Sequence, residues 1–265
     1  MKTAAKLTLT FLIIPLILVG IILASLHFQL LEPNFWKNTL RTNNVYTNLA
    51  TVLKKTAEAQ TTTEGGNLGD ARVLINLITP ANLQDILEKN ITNILNFANG
   101  KVQEAIVYIP IKILPKGLLP PNLGKITENT PLAILLDILR IEGFQETQIE
   151  SLSRTGQTVT YFLILDLVIL LLILIGIYFL TDKGKRYIPP AIAFIIAGIV
   201  VQVLALFGYI IRTSMFTGWV KSNEPVQAIL APFVPYILGE IVKVWVIIGA
   251  FVIVGGVVFL FFRKR

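Results

Sequence analysis

Four long apolar runs divide the chain, at 7–27, 159–180, 188–211 and 236–262. A helix needs about 20 apolar residues to cross a hydrocarbon core of about 30 Å, and each run reaches that length. The purest is VTYFLILDLVILLLILIGIYFL, Val159 to Leu180, and a single residue breaks it: Asp166. A carboxylate there costs about 2.5–3.5 kcal/mol on insertion scales, so it is expected to face protein, water or a countercharge. The first run follows Lys2 and Lys6 and exceeds the usual signal-peptide core of about 7–15 residues. No small-x-small cleavage site follows, so it is expected to remain as a signal anchor, mildly kinked at Pro15.

Residues 28–158 are of mixed polarity and are numerous enough to bury a core of their own. Asn34 is placed to cap a helix through FWKNTLRTNNVYTNLATVLKK, with Trp36, Leu40, Leu49, Val52 and Leu53 inward. Residues 61–70, TTTEGGNLGD, read as a loop. Thr79 as N-cap, Pro80 at the first helical position and Gly100 past the end predict the clearest helix of the chain. Its apolar face is Leu83, Ile86, Leu87, Ile91, Ile94, Leu95 and Ala98. VQEAIVYIPIKIL, with Pro110 inside, predicts an edge strand or extended segment, and KGLLPPNLG a loop. Thr130-Pro131 repeats the helix-start signal for a helix through Arg140 ending at Gly143. Residues 145–158 are expected to run as a helix into the second apolar run.

FWKNTLRTNNVY after a first span, followed by ITPANLQDILEKNITNILNFANGK, resembles the ectodomains of uncharacterised bacterial multi-span membrane proteins. The resemblance covers about 32–113 together with the arrangement of spans. Its motifs start helices and pack them; it implies no activity and carries no functional residue to this chain.

Composition sharpens the pattern. Apolar residues are 54% of the 265 and charged residues only 15%, outside the range of soluble domains. No cysteine is present and His27 is the single histidine, which excludes disulfides, thiolate chemistry and a multi-histidine metal centre within one chain. The net charge of +7 suggests a nucleic-acid surface until it is mapped. Residues 28–158 carry twelve basic and twelve acidic side chains, which cancel. The surplus is Lys2, Lys6, Lys183, Lys185, Arg186, Arg263, Lys264 and Arg265, less Asp182, all beside apolar runs. It reads as topology, with both termini and the 181–187 loop cytoplasmic and 28–158 and 212–235 outside. The expected fold is an all-α membrane protein: four transmembrane helices and a mainly helical domain, with minor β, outside between the first and second.

The candidate site is an intramembrane polar cluster. Asp166 and Lys243 each lie seven residues into a span running inward, which puts both about 10 Å below the outer end. Glu240 is one turn from Lys243 on the same face, Arg212 ends the third span, and Gln202 sits near its midplane. An interhelical ion pair between Asp166 and Lys243 would fix packing; a substrate, ion or proton pathway is the functional alternative. Two carboxylates could act as acid and base, but no nucleophile motif, metal cluster or phosphate loop accompanies them. Ala193, Ala197, Val201, Ala205 and Gly208 share a face with Arg212, and Gly249, Gly255 and Gly256 are expected as packing positions. In the 212–235 loop, Pro225 is expected to start a short helix with Val226, Ile229, Leu230 and Phe233 on its apolar side, while Phe216 and Trp219 suit the headgroup level. The Asn90-Ile91-Thr92 sequon lies inside the strongest helix.

The pattern favours a non-enzymatic envelope or cell-surface protein whose outer domain binds a partner. Membrane lipid and a protein partner or second copy are the expected partners; nucleic acid and cofactors are not expected. A small oligomeric transporter or channel subunit is the rival, and an intramembrane enzyme the third.

Overall fold

A computed structural model of the chain describes residues 2–63, 75–111, 126–138, 146–219 and 233–262. In chain order it contains α1 (Lys2–Ser25), a π-helical turn (Leu26–Leu30), α2 (Pro33–Thr42), α3 (Val45–Thr63), α4 (Pro80–Ala98), β1 (Ile106–Tyr108), β2 (Asn129–Pro131), α5 (Leu132–Ile138), α6 (Glu146–Ser153), α7 (Thr155–Leu180), α8 (Ile188–Trp219) and α9 (Phe233–Phe261). The chain divides into two compact units. One comprises Met1–Gln29, Thr158–Glu224 and Val234–Arg265; the other Leu30–Gln157 and Pro225–Phe233.

In the apolar unit, four helices are long and apolar enough to cross a membrane: Thr3–Leu30, Thr155–Leu180, Ile188–Ser214 and Phe233–Phe261. Ile13, Ile17 and Ile21 recur every fourth residue and make one face of α1. They pack with Ile173 and Ile177 of α7 and with Ala193, Ala197 and Val201 of α8. Ala193, Ala197, Val201 and Ala205 are at most 1% exposed, so the expected small-residue face of α8 is the buried one. Without a hydrophobic drive between helices in lipid, close backbone approach must supply the attraction, and small side chains permit it. The α8–α9 seam shows how close: a Cβ on Gly198 would fall 2.9 Å from the Gly249 carbonyl oxygen. Gly255 differs from its neighbours, because a Cβ there would meet one atom only, at 4.0 Å. Away from the seams Phe11, Phe179 and Phe251 are over 70% exposed. Water would reject such a surface; hydrocarbon accepts it.

The third apolar helix runs past its expected end. Residues 212–219 continue α8 instead of opening a loop, because neither Pro nor Gly interrupts the segment before Gly218. The expected Pro225 helix lies outside the described residues, as does the 116–124 loop; most of the 61–70 loop does too, although α3 extends through Thr63.

In the polar unit, the Thr79-Pro80 start holds. Thr79 accepts a hydrogen bond from the Asn82 amide at 3.2 Å, with Pro80 at the first helical position. The other end closes as a Schellman motif: Gly100 takes φ +68°, its amide donates to Phe97, and the Lys101 amide donates to Asn96. The Asn34 start is corrected by two residues. Pro33 takes the first helical position, and Glu32 accepts from the Asn34 amide at 3.3 Å. The single helix expected from there is two, broken where Asn44 adopts φ +52°, a conformation Asn tolerates better than most residues. Thr130-Pro131 starts no helix. The Thr130 hydroxyl turns back to the Thr127 carbonyl at 2.8 Å, and Asn129–Pro131 pairs antiparallel with Ile106–Tyr108. The helix begins one residue later, at Leu132, and its expected end at Arg140 and Gly143 lies outside the described residues. Likewise α6 does not run on into α7; Arg154 turns between them.

Two polar clasps tie these elements together. Asn90 brackets the backbone of Tyr108, donating to its carbonyl at 3.0 Å and accepting from its amide at 2.7 Å, so the sequon asparagine is a structural tie between α4 and β1. Asn99 donates to the Leu31 carbonyl at 2.8 Å. Gly156 lets α7 approach that same residue, since a Cβ there would lie 2.8 Å from the Asn99 Cα. The core is Leu31, Leu40, Val45, Tyr46, Leu49, Ala50, Phe97, Ala98 and Ala105. Leu83, Leu87, Ile91 and Ile94 are half-buried.

Candidate functional site

Two of the five intramembrane polar residues bond to each other. Lys243 Nζ donates to Glu240 Oε1 at 2.5 Å, one turn along α9. The lysine side chain is 64% exposed, so the pair sits on the outer surface of the helix. Arg212 lies over Gly239, where a Cβ would fall 2.9 Å from its guanidinium carbon. Gln202 donates to the Val246 carbonyl at 2.8 Å and rests on Gly249. Arg212 and Gln202 thus lie at the α8–α9 contact, and the Glu240–Lys243 pair is held within α9.

Asp166 stands apart. It is 5% exposed, with its carboxylate against Gly20 of α1; a Cβ at Gly20 would come within 2.7 Å of Oδ2. Among the described residues no hydrogen bond or ion pair joins it to Lys243. Distances along α1 explain why. Asp166 is level with Gly20, whereas Trp245 of α9 donates to the Ser25 hydroxyl at 2.7 Å. Five residues of helix separate those levels by about 7.5 Å. The matching seven-residue offsets therefore do not place Asp166 and Lys243 at one depth, because the two spans are shifted along their axes. In a double-mutant cycle, Asp166→Asn and Lys243→Met are expected to add within about 0.5 kcal/mol. Asp166→Asn alone is expected to leave stability unchanged or raised, since no cation loses a partner. Thermal unfolding in detergent checks both, and recovery of more than about 1 kcal/mol in the double variant would place the two side chains in contact after all.

Further polar groups lie in the turn that follows α1. His27 lies 3.2 Å from the Thr160 hydroxyl, and Gln29 is 6% exposed with neither amide atom hydrogen-bonded among the described residues. Both belong to the π-helical turn, whose widened register re-aims side chains. Hydropathy alone hides this set, because each residue is an isolated polar position in an apolar run.

The polar unit holds a second arrangement that spacing could not reveal. Arg41 of α2 grips Glu88 of α4 with two parallel hydrogen bonds, Nε to Oε1 at 2.7 Å and a second N–H to Oε2. The Tyr46 hydroxyl adds a third at 3.2 Å. Burial works to raise the Glu88 carboxyl, but the guanidinium outweighs it and holds the group below its ordinary pKa. The Tyr46 phenol is pushed up by its own burial and then by the Glu88 carboxylate. One residue on, Lys89 donates to Asp85 at 2.8 Å and sits 4.0 Å over the Tyr108 ring. A groove of about 500 Å³ runs past Lys37, Arg41, Gln84, Asp85, Glu88 and Lys89, and a second of about 340 Å³ shares Arg41 and Gln84. Among the described residues, no three His, Asp or Glu side chains converge where one ion could sit.

No protein-family model matches the chain, and no curated protein or solved structure does either.

Proposed function

We propose that this is a multi-pass protein of the cell membrane with both termini cytoplasmic, whose extracytoplasmic domain between the first and second spans binds a protein partner without catalysing a reaction. The observation that carries the reading is the α2–α4 groove. Its guanidinium is half-exposed yet already oriented by a bidentate carboxylate, so little side-chain entropy is lost when a partner meets it. Charges of both signs along its rim, Lys37, Arg41 and Lys89 with Asp85 and Glu88, give a pattern that selects a complementary protein surface over a uniform polyanion. The transporter reading needs Asp166, Gln202, Arg212, Glu240 and Lys243 to share a path; their dispersal over two helix contacts favours the interaction reading.

Gln84 lines both parts of the groove and serves as the probe position. A cysteine at 84 is expected to label on intact cells with a membrane-impermeant maleimide, and one at the exposed Lys185 to resist. A photoreactive residue at 84 is expected to give one discrete protein adduct that Arg41→Glu abolishes. Labelling at 185 alone would reverse the topology. Adducts insensitive to Arg41→Glu, or none, would sink the groove as a docking surface.

A further inference from the structure

The junction between α7 and α8 carries a second site, of a different chemistry. A cavity of about 510 Å³ opens there between Leu174, Ile175 and Phe179 of α7 and Pro190 of α8, closed at the back by Phe259 of α9. These walls are hydrocarbon, and Ile175 and Phe179 continue outward as exposed apolar surface, so the occupant must arrive from the bilayer. The mouth is different. Tyr178, Tyr187 and Arg186 ring it where the apolar helices end, at Leu180 and Ile188, the level at which tyrosines and headgroups meet.

Arg186 is held rather than loose. Its Nε donates to the Thr181 carbonyl at 3.3 Å, and its guanidinium lies 4.3 Å over the Tyr178 ring. Among the described residues no carboxylate pairs with it. A guanidinium has five N–H donors, and with Nε engaged the terminal nitrogens keep the fork that binds phosphate. Around it, residues 182–186 carry Lys183, Lys185 and Arg186 against Asp182 alone.

We propose that this junction binds one anionic phospholipid, its phosphate on Arg186 and an acyl chain in the cavity. Hydrocarbon walls below a fixed cation match the two halves of such a molecule, and basic pockets beside membrane helices recognise anionic headgroups in this way. The excess of cations in the loop selects a net-negative headgroup over a zwitterionic one. The site depends on the four helices being membrane spans but not on the α2–α4 groove, so either proposal can fail alone.

Native mass spectrometry of the delipidated full-length chain tests it, with phosphatidylglycerol and phosphatidylcholine of identical acyl chains offered together. Phosphatidylglycerol is expected to bind about tenfold tighter, the factor that a difference of about 1.4 kcal/mol gives. Arg186→Gln is expected to reduce the preference to near parity, and Arg186→Lys to retain part of it. Ile175→Trp, which fills the cavity, is expected to weaken binding of both lipids. Gel filtration and circular dichroism identify any variant that does not assemble; the wild-type preference and the remaining variants then decide. Equal binding of the two lipids, a preference that survives Arg186→Gln, or binding unaffected by Ile175→Trp would each overturn the site.

Discussion

Leu40→Asp is expected to unfold the polar unit while the four apolar helices stay in the membrane. Leu40 is 1% exposed, in α2, which packs on both α3 and α4. Removing a buried leucine costs about 2–5 kcal/mol, and an unpaired carboxylate in its place adds several more. A domain's whole stability is about 5–15 kcal/mol, so the sum is enough to abolish folding. Limited proteolysis of the solubilised protein should show the unit cut rapidly, while alkaline extraction leaves the chain in the membrane fraction. Leu87→Asp is the natural comparison. Leu87 is half-buried, so its aspartate can turn toward water and the loss should be smaller. Protease resistance unchanged in Leu40→Asp would mean that α2 does not hold the core.

Gly256→Leu is expected to break the α8–α9 contact. A Cβ at 256 would lie 2.8 Å from the Ala191 carbonyl oxygen and 3.0 Å from the Ile195 amide nitrogen. These are backbone atoms, so no rotamer change relieves the clash and the helices must part. Overpacking a core costs about 1–3 kcal/mol, and a clash against backbone sits at or beyond the top of that range. The adjacent Gly255 supplies the control, since a Cβ there meets only Phe194 at 4.0 Å. Gly255→Leu should therefore leave unfolding in detergent almost unchanged. Equal losses at both positions would reject the seam, because exchanging glycine for leucine by itself favours the helix.

The failures of sequence reading have identifiable causes. Helical periodicity across residues 34–55 is real, but Asn43-Asn44 interrupts it, and the phase shift puts Val45, Tyr46 and Ala50 in the core in place of Val52 and Leu53. Thr130-Pro131 carries the same two letters as Thr79-Pro80. The hydroxyl of Thr79 finds an amide three residues ahead, whereas that of Thr130 finds a carbonyl three residues behind. Here β1 pairs with Asn129–Pro131, so a strand occupies the cap and first helical positions and the helix starts only at Leu132. The Arg41–Glu88 grip spans 47 positions, and no pattern within either helix announces it.

What the sequence determined by itself was whatever depends on neighbours along the chain: four helices apolar enough to cross a bilayer, the capped helix at Thr79-Pro80, and the small-residue face of α8. Those follow from period, length and side-chain size, which are local quantities. The tertiary structure alone decided which polar groups meet. Asp166 faces Gly20 and Gln202 reaches the Val246 carbonyl because helices slide along their axes until small residues and ridges interlock, and a shift of a few residues changes every such partner. That shift is set by the sum of many weak contacts between segments far apart in the chain, so no single stretch encodes it.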